Sequence, residues 1–399
     1  MAKFIGRRGA IGVQKEATSG TEEAGTITWF PKFSGLLAED NTKVPMDAGF
    51  GVIDDIADHA LENEQSKLNA VIAAGATTLG HLLLPAFGQE NLCVIGTLTG
   101  ASGGTPARGD AISSATGSWT GIIRKIFVIG ATTYYAISTT TGTISAQTDV
   151  TNGTWTGGTL ALITGAYGHY FSRLNTNAHP TYTLYENTPV GDKNALFGML
   201  NSIDFNFVRG DYLKITLEYM AKKVNSDSGL SPSFDSENYF KSRHFGVKIA
   251  ANEASLNAAS LVSAIESMSV TIAKNVEVLP GSRSSTANNT EPAEFANGAF
   301  GAQGQIVLPY IDDTYRDYFT GNTKKAARQE WIDYDSSAIT TGLYPQLIVD
   351  WYQVNFEGFE RSDDNNAIQK QTLNIVPEYD RTNGIRCDAL LVNGRATAY

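Results

Sequence analysis

The sequence predicts a mainly β protein with two tandem modules, each an antiparallel β-sandwich or half-barrel with one short helix, and a small inserted all-β domain. Charged residues make up only 18% of the 399 residues, which favours turn-rich β-structure over long solvated helices. Several segments alternate apolar and polar residues with the period of a half-buried strand. A similar order of segments also recurs in the second half of the chain. Together, these observations predict the fold class.

The clearest alternation covers residues 203–207 and 213–219, with Val208-Arg209-Gly210-Asp211 as a hairpin turn between them. Residues 268–272 alternate in the same way. In each strand the apolar residues share one face and the polar residues share the other. The polar face of the predicted hairpin carries Asp204, Asn206, Lys214, Thr216 and Glu218.

The duplication is predicted from the order of elements rather than from sequence identity. Residues 62–88 and 301–321 each give a strand followed by a short helix, and residues 196–223 and 344–380 each give a pair of long strands. We therefore expect module A at 1–96 and 166–224, a polar linker at 225–240 and module B at 241–399.

Two short helices are expected. One begins near Asp312 and Asp313 and ends at Gly321. The other covers residues 77–87, with its leucines facing inward, and Pro85 is expected to end it early.

The inserted domain is predicted at residues 97–165, where short β-type runs alternate with Gly, Ser and Thr turns and acidic residues almost vanish. ATGSWTG at 115–121 and TNGTWTG at 151–157 form a weak internal repeat. Trp119 and Trp155 are equivalent within it, and both are candidates for an exposed binding surface of the insert.

Composition excludes several function classes. A net charge of −11 argues against a phosphate-gripping surface, although an acidic surface suits a channel from which DNA is repelled. Cys93 and Cys387 are too few for a disulfide framework. The N-terminal residues lack the apolar core of a signal peptide, and no window approaches 18 apolar residues, so we expect a protein made in a cytoplasm that does not bind membranes.

No constellation predicts an enzyme, a cofactor or a metal ion. Gly100, Ser102 and Gly104 match the pattern of a nucleophile elbow, which needs a strand before the serine and a helix after it. Here the motif lies in a Gly/Thr-rich run with Pro106 beyond it, so a flexible connection is the expected structure.

These elements, in this order, resemble the tail tube (major tail) proteins of long-tailed bacteriophages, particularly the larger class with two tube modules in one chain. The opening GAIGVQKEATSGTEEAGTITWFPKFSG, the hairpin LNSIDFNFVRGDYLKITLEYMAKK and the closing YDRTNGIRCDALLVNGRATAY carry the resemblance. It covers about 1–96 and 166–399, and the insert lies outside it.

The resemblance implies a structural subunit of the virion tail, assembled in the host cytoplasm. Its modules close rings of three chains with pseudo-sixfold symmetry, or of six chains, and the rings stack into a hollow tube. Double-stranded DNA passes through without specific binding, and the tube meets a tape-measure protein and tail-end proteins. The polar face from Asp204 to Glu218 becomes the candidate lumen surface, and the insert lies on the outer surface.

An alternative assignment stays open at this stage. The chain could be another β-rich virion or surface protein, either a capsid decoration or an adhesin that binds carbohydrate through Trp119 and Trp155. Long polar-faced hairpins favour the tube, because a plain adhesin does not need them.

Overall fold

The protein is mainly β, and most of its strands belong to one large antiparallel sheet system. A computed structural model describes residues 6–47, 56, 58–282, 290–340, 342–362 and 367–399. Neither α-helix in these ranges is long and apolar enough to cross a membrane. Three short 3-10 helices lie at Gly6–Arg8, Ser242–His244 and Glu253–Ser255.

The first half of the chain contributes strands before and after a long excursion. The strands before it are β1 (Ala10–Lys15), β2 (Thr28–Phe30), β3 (Lys32–Glu39), β4 (Thr42–Met46), β5 (Asp58–Asn63) and β6 (Gln65–Ala73), followed by helix α1 (Gly80–Phe87). The excursion contains β7 (Gly88–Thr99), β8 (Ala111–Ser114), β9 (Trp119–Ile129), β10 (Thr132–Thr141), β11 (Gln147–Val150) and β12 (Gly158–Arg173). The strands after it are β13 (Tyr182–Thr188), β14 (Gly191–Val208), β15 (Lys214–Lys222) and β16 (Val224–Asp227).

The second half is built in the same order without a comparable excursion. Its elements are β17 (Phe245–Ala250), β18 (Ser267–Ala273), β19 (Glu277–Leu279), β20 (Glu294–Ala296), β21 (Gly301–Pro309), helix α2 (Thr314–Thr320), β22 (Lys325–Ile332), β23 (Gln346–Arg361), β24 (Lys370–Glu378) and β25 (Cys387–Asn393).

Eight strands from both halves form one continuous antiparallel layer. Their spatial order is β3-β6-β15-β14-β18-β21-β24-β23. Four of these strands come from each half, and the contact between β14 and β18 joins the two sets. The predicted alternating strands at 203–207 and 268–272 are confirmed as parts of β14 and β18, and the one at 213–219 is confirmed from residue 214 onward as part of β15.

The long strands β14 and β23 each take part in a second layer as well. The first part of β14 pairs with β13 and β16, and β13 also pairs with β1. The first part of β23 pairs with β22 and β25, and β22 also pairs with β17. Apart from the additional pairings of β1 with β2 and of β25 with β12, the strand pairings of the two halves correspond in both layers.

The two long hairpins also agree in register. Met199 pairs with Met220 in β14–β15, and Asn355 pairs with Val376 in β23–β24, so each partner is displaced by 156 positions (355 minus 199, and 376 minus 220). β14 is bulged between Leu200 and Ser202, and β23 is bulged between Phe356 and Gly358, at the same displacement. A bulge leaves one residue unpaired and bends the strand.

A row of four paired residues shows the agreement across the layer. In the first half, Asp204 pairs with Thr216, Thr216 with Val71, and Val71 with Ser34. In the second half, the equivalent row is Glu360, Thr372, Val307 and Ser267. The two rows have the same residue types, apart from the exchange of one carboxylate for another.

Most of the apolar side chains of both layers pack into one core. It includes Phe205 and Tyr219 from the first half and Trp331, Trp351 and Phe356 from the second half. The apolar face of each alternating strand points into this core, which explains why its polar face remains accessible.

The excursion from β7 to β12 is tied to the second half by strand pairing. β12 pairs with β7 and with β25, and β10 pairs with β7 and β9. The far end has its own core, which includes Ile112, Trp119, Ile137, Val150 and Trp155. The near end shares a core with Leu343, Ile348 and Leu390, among others.

The two helices follow the first strand pair of each half. α2 ends at Gly321 as predicted. The expectation that Pro85 ends α1 early is wrong, because the helix continues to Phe87 and then reaches the left-handed Gly88. Pro85 has no N–H to donate to the His81 carbonyl one turn earlier, and its own carbonyl, in the last turn of the helix, accepts a hydrogen bond from Lys274 Nζ at 2.9 Å.

Candidate functional surface

The eight-stranded layer presents a polar face that crosses both halves of the chain. One row of paired residues on this face runs through Lys214, Asn206, Ser269, Gln305 and Asn374. Gln305 Nε2 donates to Asn374 Oδ1 at 3.1 Å. All five candidate residues of the β14–β15 hairpin, Asp204, Asn206, Lys214, Thr216 and Glu218, lie on this polar face, and none of them is buried.

Lys214 is the one cationic residue among these five. Its Nζ lies 2.5 Å from Asp211 Oδ2 in the hairpin turn. The charge of Lys214 is therefore balanced locally.

Asp204 lies at the junction between the two halves. The hydroxyl of Thr271 donates to Asp204 Oδ1 at 3.0 Å, so side chains meet across the β14–β18 contact. Burial raises the pKa of the Asp204 carboxyl, and the hydrogen bond from Thr271 opposes that rise. The polar face is thus continuous at the point where the two sets of strands join.

Both ends of this layer are strand edges. Within the described residues, β3 pairs only with β6, and residues 355–361 of β23 pair only with β24. Phe33 and Leu36 on β3 are more than half exposed. An open edge with apolar side chains can accept another strand through its free N–H and C=O groups.

In each half, a two-stranded hairpin projects from the eight-stranded layer. It lies in the chain between the first and second strands that this half contributes to the layer. In the second half, β19 and β20 pair with each other, and Phe295 packs with Met199 of the first half. In the first half, β4 and β5 pair with each other, and all of β4 is exposed, including Val44 and Met46. Within one chain, the β19–β20 hairpin therefore packs against the other half, whereas strand β4 of the β4–β5 hairpin is exposed.

The structure corrects the expectation for Trp119 and Trp155. Each ring is only 1% exposed, and both belong to the core at the far end of the excursion. Trp119 is one of the alternating buried residues of β9, and Trp155 Nε1 donates to Asp110 Oδ2 at 3.0 Å. Large aromatic side chains gain most by burial, and these two leave no ring face for a ligand.

The Ser102 motif has a different geometry from a nucleophile elbow. Ser102 and Thr156 exchange two backbone hydrogen bonds, at 2.9 and 3.0 Å. The chain then continues to strand β8 without an intervening helix. Ser102 lies in a bridge between two loop segments, so the backbone here is held by pairing, whereas a flexible connection was expected.

A buried ionic network connects the excursion to the second half, and sequence analysis did not find it. Lys125 on β9 lies 2.5 Å from Asp350 on β23 and also contacts Asp388 on β25, and all three side chains are fully buried. Arg328 forms a bidentate pair with Asp350 at 2.7 and 2.8 Å. The hydroxyl of Tyr352 donates to Asp388 at 2.5 Å.

The network stabilises the ionised form of Asp350. Burial alone would raise the pKa of Asp350, but the charges of Arg328 and Lys125 hold it well below its ordinary value. A signal for this network exists in the sequence, because Asp350 interrupts the apolar run LIVDWY. An acidic residue in the middle of a buried strand requires a buried cation.

One group in the described part of the chain has metal-ligand spacing. The ligand atoms of His244, Asp333 and Asp335 lie within 4.8 Å of one another. Asp335 is also paired with Arg243 and Lys241, and Asp333 accepts backbone hydrogen bonds from Asp335 and Ser336. The carboxylates already have cationic and N–H partners, so the arrangement is that of an ion-pair cluster.

Comparison of the sequence with protein-family models and with curated proteins gives no match.

Proposed function

We propose that this chain is a structural subunit of a bacteriophage tail tube, which assembles into stacked rings around a channel for genome delivery. The observation that supports the proposal best is the eight-stranded layer, which has one polar face, an apolar face in the core and an open strand edge at each end. A layer of this kind can curve and close with copies of itself, so that its polar faces line an aqueous channel.

The repeated strand order supports two tandem tube modules in the chain. The displacement of 156 positions, with matching bulges, is what a duplicated hairpin would give. In the first half, the excursion β7–β12 lies between α1 and β13. In the second half, β22 follows α2 directly. We assign this excursion as the inserted domain, on the outer side of the ring, with a larger extent than residues 97–165.

The implied partners are further copies of this chain. If each chain supplies two equivalent modules, three chains give a ring with pseudo-sixfold symmetry, while six chains remain the count if the modules are not equivalent. A tape-measure protein and tail-end proteins would contact the tube, and double-stranded DNA would pass through it. The net charge of −11 suits a conduit that does not retain DNA.

The alternative of a carbohydrate-binding adhesin depended on Trp119 and Trp155. Because both rings are buried, that alternative no longer has residues to support it. A capsid decoration protein would not need a polar-faced layer with two open edges.

Negative-stain electron microscopy of the purified protein tests the proposal. We expect hollow tubes with a regular axial repeat once the protein is concentrated, and end-on averages would count the modules. A monomer at every protein and salt concentration, also in the presence of tail-end initiator proteins, would contradict the proposal.

A further inference from the structure

The pairing of β14 with β18 within one chain provides a template for strand pairing between two copies of the chain. Ser202 pairs with Ala273, Asp204 with Thr271, and Asn206 with Ser269. β14 is the last strand of the first set of four, and β18 is the first strand of the second set. The equivalent strands at the outer ends, β23 and β3, are the two open edges.

We infer that residues 358–361 at the end of β23 pair antiparallel with β3 of a second copy of this chain, in the register of the β14–β18 contact. This inference rests on the proposed function, and it adds the edges and the register that join neighbouring subunits. The pairing is heterologous, because one copy offers β23 and the other offers β3, so it can propagate until a ring closes.

The register follows from equivalences within the layer. Asp204 and Glu360 occupy equivalent places in the two rows, and so do Ser34 and Ser267. Thr271 lies four residues after Ser267, and Ala38 lies four residues after Ser34. The pair Asp204–Thr271 within the chain therefore corresponds to Glu360 opposite Ala38 of the neighbouring copy.

Charge complementarity supports this register. At the bulge of β14, Asn201 Oδ1 accepts a hydrogen bond from the Val276 N–H at 2.9 Å. The equivalent residues at the outer edges are Glu357 and Lys43, which are both exposed in the single chain. The inferred contact brings this exposed carboxylate beside an exposed ammonium group.

The exposed hairpin of the first half supports the same partner. Within one chain, the β19–β20 hairpin leaves its own set of strands and covers Met199, with Phe197 and Phe295 packed edge to face at a centroid distance of 5.5 Å. The β4–β5 hairpin leaves β3 in the equivalent place but finds no such cover. In the inferred contact, the β4–β5 hairpin would pack in the same way on the β23–β24 hairpin of the neighbouring copy.

Paired cysteines test the register. In Ala38→Cys/Glu360→Cys, mild oxidation of the assembled protein should give a ladder of covalent oligomers on a non-reducing gel, ending at the number of chains in one ring. Directly opposed side chains lie about 5 Å apart, which is close enough for a disulfide after small adjustments. The native Cys93 and Cys387 are buried and remain in place.

A shifted pair provides the matched control. In Ala38→Cys/Arg361→Cys, the two side chains would lie on opposite faces of the layer, so no ladder should form. Tubes by microscopy without a ladder from Ala38→Cys/Glu360→Cys, or with an equal ladder from the control pair, would overturn the inferred edge while leaving the tube itself intact. The absence of both tubes and ladder would overturn the inference together with the proposed function.

Charge reversal gives a second test that needs no oxidation. Lys43→Glu or Glu357→Lys alone should raise the protein concentration needed for half-maximal assembly by about fivefold, since an attractive pair becomes repulsive. The double variant Lys43→Glu/Glu357→Lys should restore the original concentration. No recovery in the double variant would count against this contact.

Discussion

Lys125 and Asp350 form an ion pair of 2.5 Å between the excursion and the second half of the chain, and both side chains are fully buried. Lys125 is also the partner of Asp388, which receives hydroxyl hydrogen bonds from Tyr170 and Tyr352. The two regions are therefore joined by charge as well as by the β12–β25 strand pairing.

Removal of the Lys125 ammonium should destabilise the protein strongly. Lys125→Met removes the fully buried cation shared by Asp350 and Asp388, leaves Asp388 with the partly exposed Arg108 at 3.6 Å, and should lower the free energy of unfolding by roughly 3–5 kcal/mol, measured by urea denaturation. Lys324→Met removes an exposed partner of Glu378 and should cost only about 0–1 kcal/mol. Equal effects of the two variants would show that the buried network is not the stronger contact.

The pH dependence of stability should report the burial of Lys274. Burial lowers the pKa of this lysine from 10.5 to about 7. Between these two values the unfolded chain binds more protons than the folded chain, so the free energy of unfolding rises with pH across this window.

Lys274→Met removes this titration. The urea midpoint of the original protein should rise relative to that of the variant as the pH increases from about 7 to about 9.5. His81 and His179, whose pKa values burial lowers to about 4, titrate below this window. Parallel pH profiles for the two proteins would mean that Lys274 is charged in the folded state.

Trp155→Ala should unfold the far end of the excursion. Loss of a fully buried indole costs about 3–5 kcal/mol, and Asp110 also loses its hydrogen-bond donor. Thermal denaturation should show the loss, and Trp155→Phe should retain part of the packing. An unchanged melting temperature combined with loss of binding to a glycan array would instead revive the adhesin.

The channel proposal predicts which surfaces stay accessible after assembly. Thr216→Cys lies on the polar face, and Thr140→Cys lies on an exposed part of the excursion. In tubes, a small maleimide should label both residues, whereas a maleimide on a bulky particle should label only the cysteine at position 140, because the proposed channel excludes the particle. Labelling of both residues by the particle would place the polar face outside.

The strands of the polar hairpins could be predicted from sequence because the alternation of apolar and polar residues there matches the alternation of buried and accessible side chains. At Ile203, Phe205 and Leu217, every second residue enters the core, so alternation alone identifies the face. The order of the elements in each half was also visible, although Lys214, Thr216 and Leu217 are the only identities between the two hairpins in the stretch from Lys214 to Tyr219.

The buried contacts between distant segments could not be predicted in this way. Lys125 follows Arg124 in an otherwise apolar run, and nothing nearby identifies its partners, which lie more than 200 residues later in the sequence. Trp119 and Trp155 looked exposed because Gly, Ser and Thr surround them. Those small residues instead form the turns that close over the rings, with Gly117 lying directly against the indole of Trp119.

The contact of Asp204 with Thr271 also bears on how fast a ring could form. Because this seam lies within one chain, it closes during folding, at the high effective concentration of tethered segments and without any collision between molecules. In the proposed ring, every second seam would be of this kind. The number of separate molecules that must meet before closure would then be half the number of repeats, and ring nucleation would depend less steeply on the concentration of the protein in the cell.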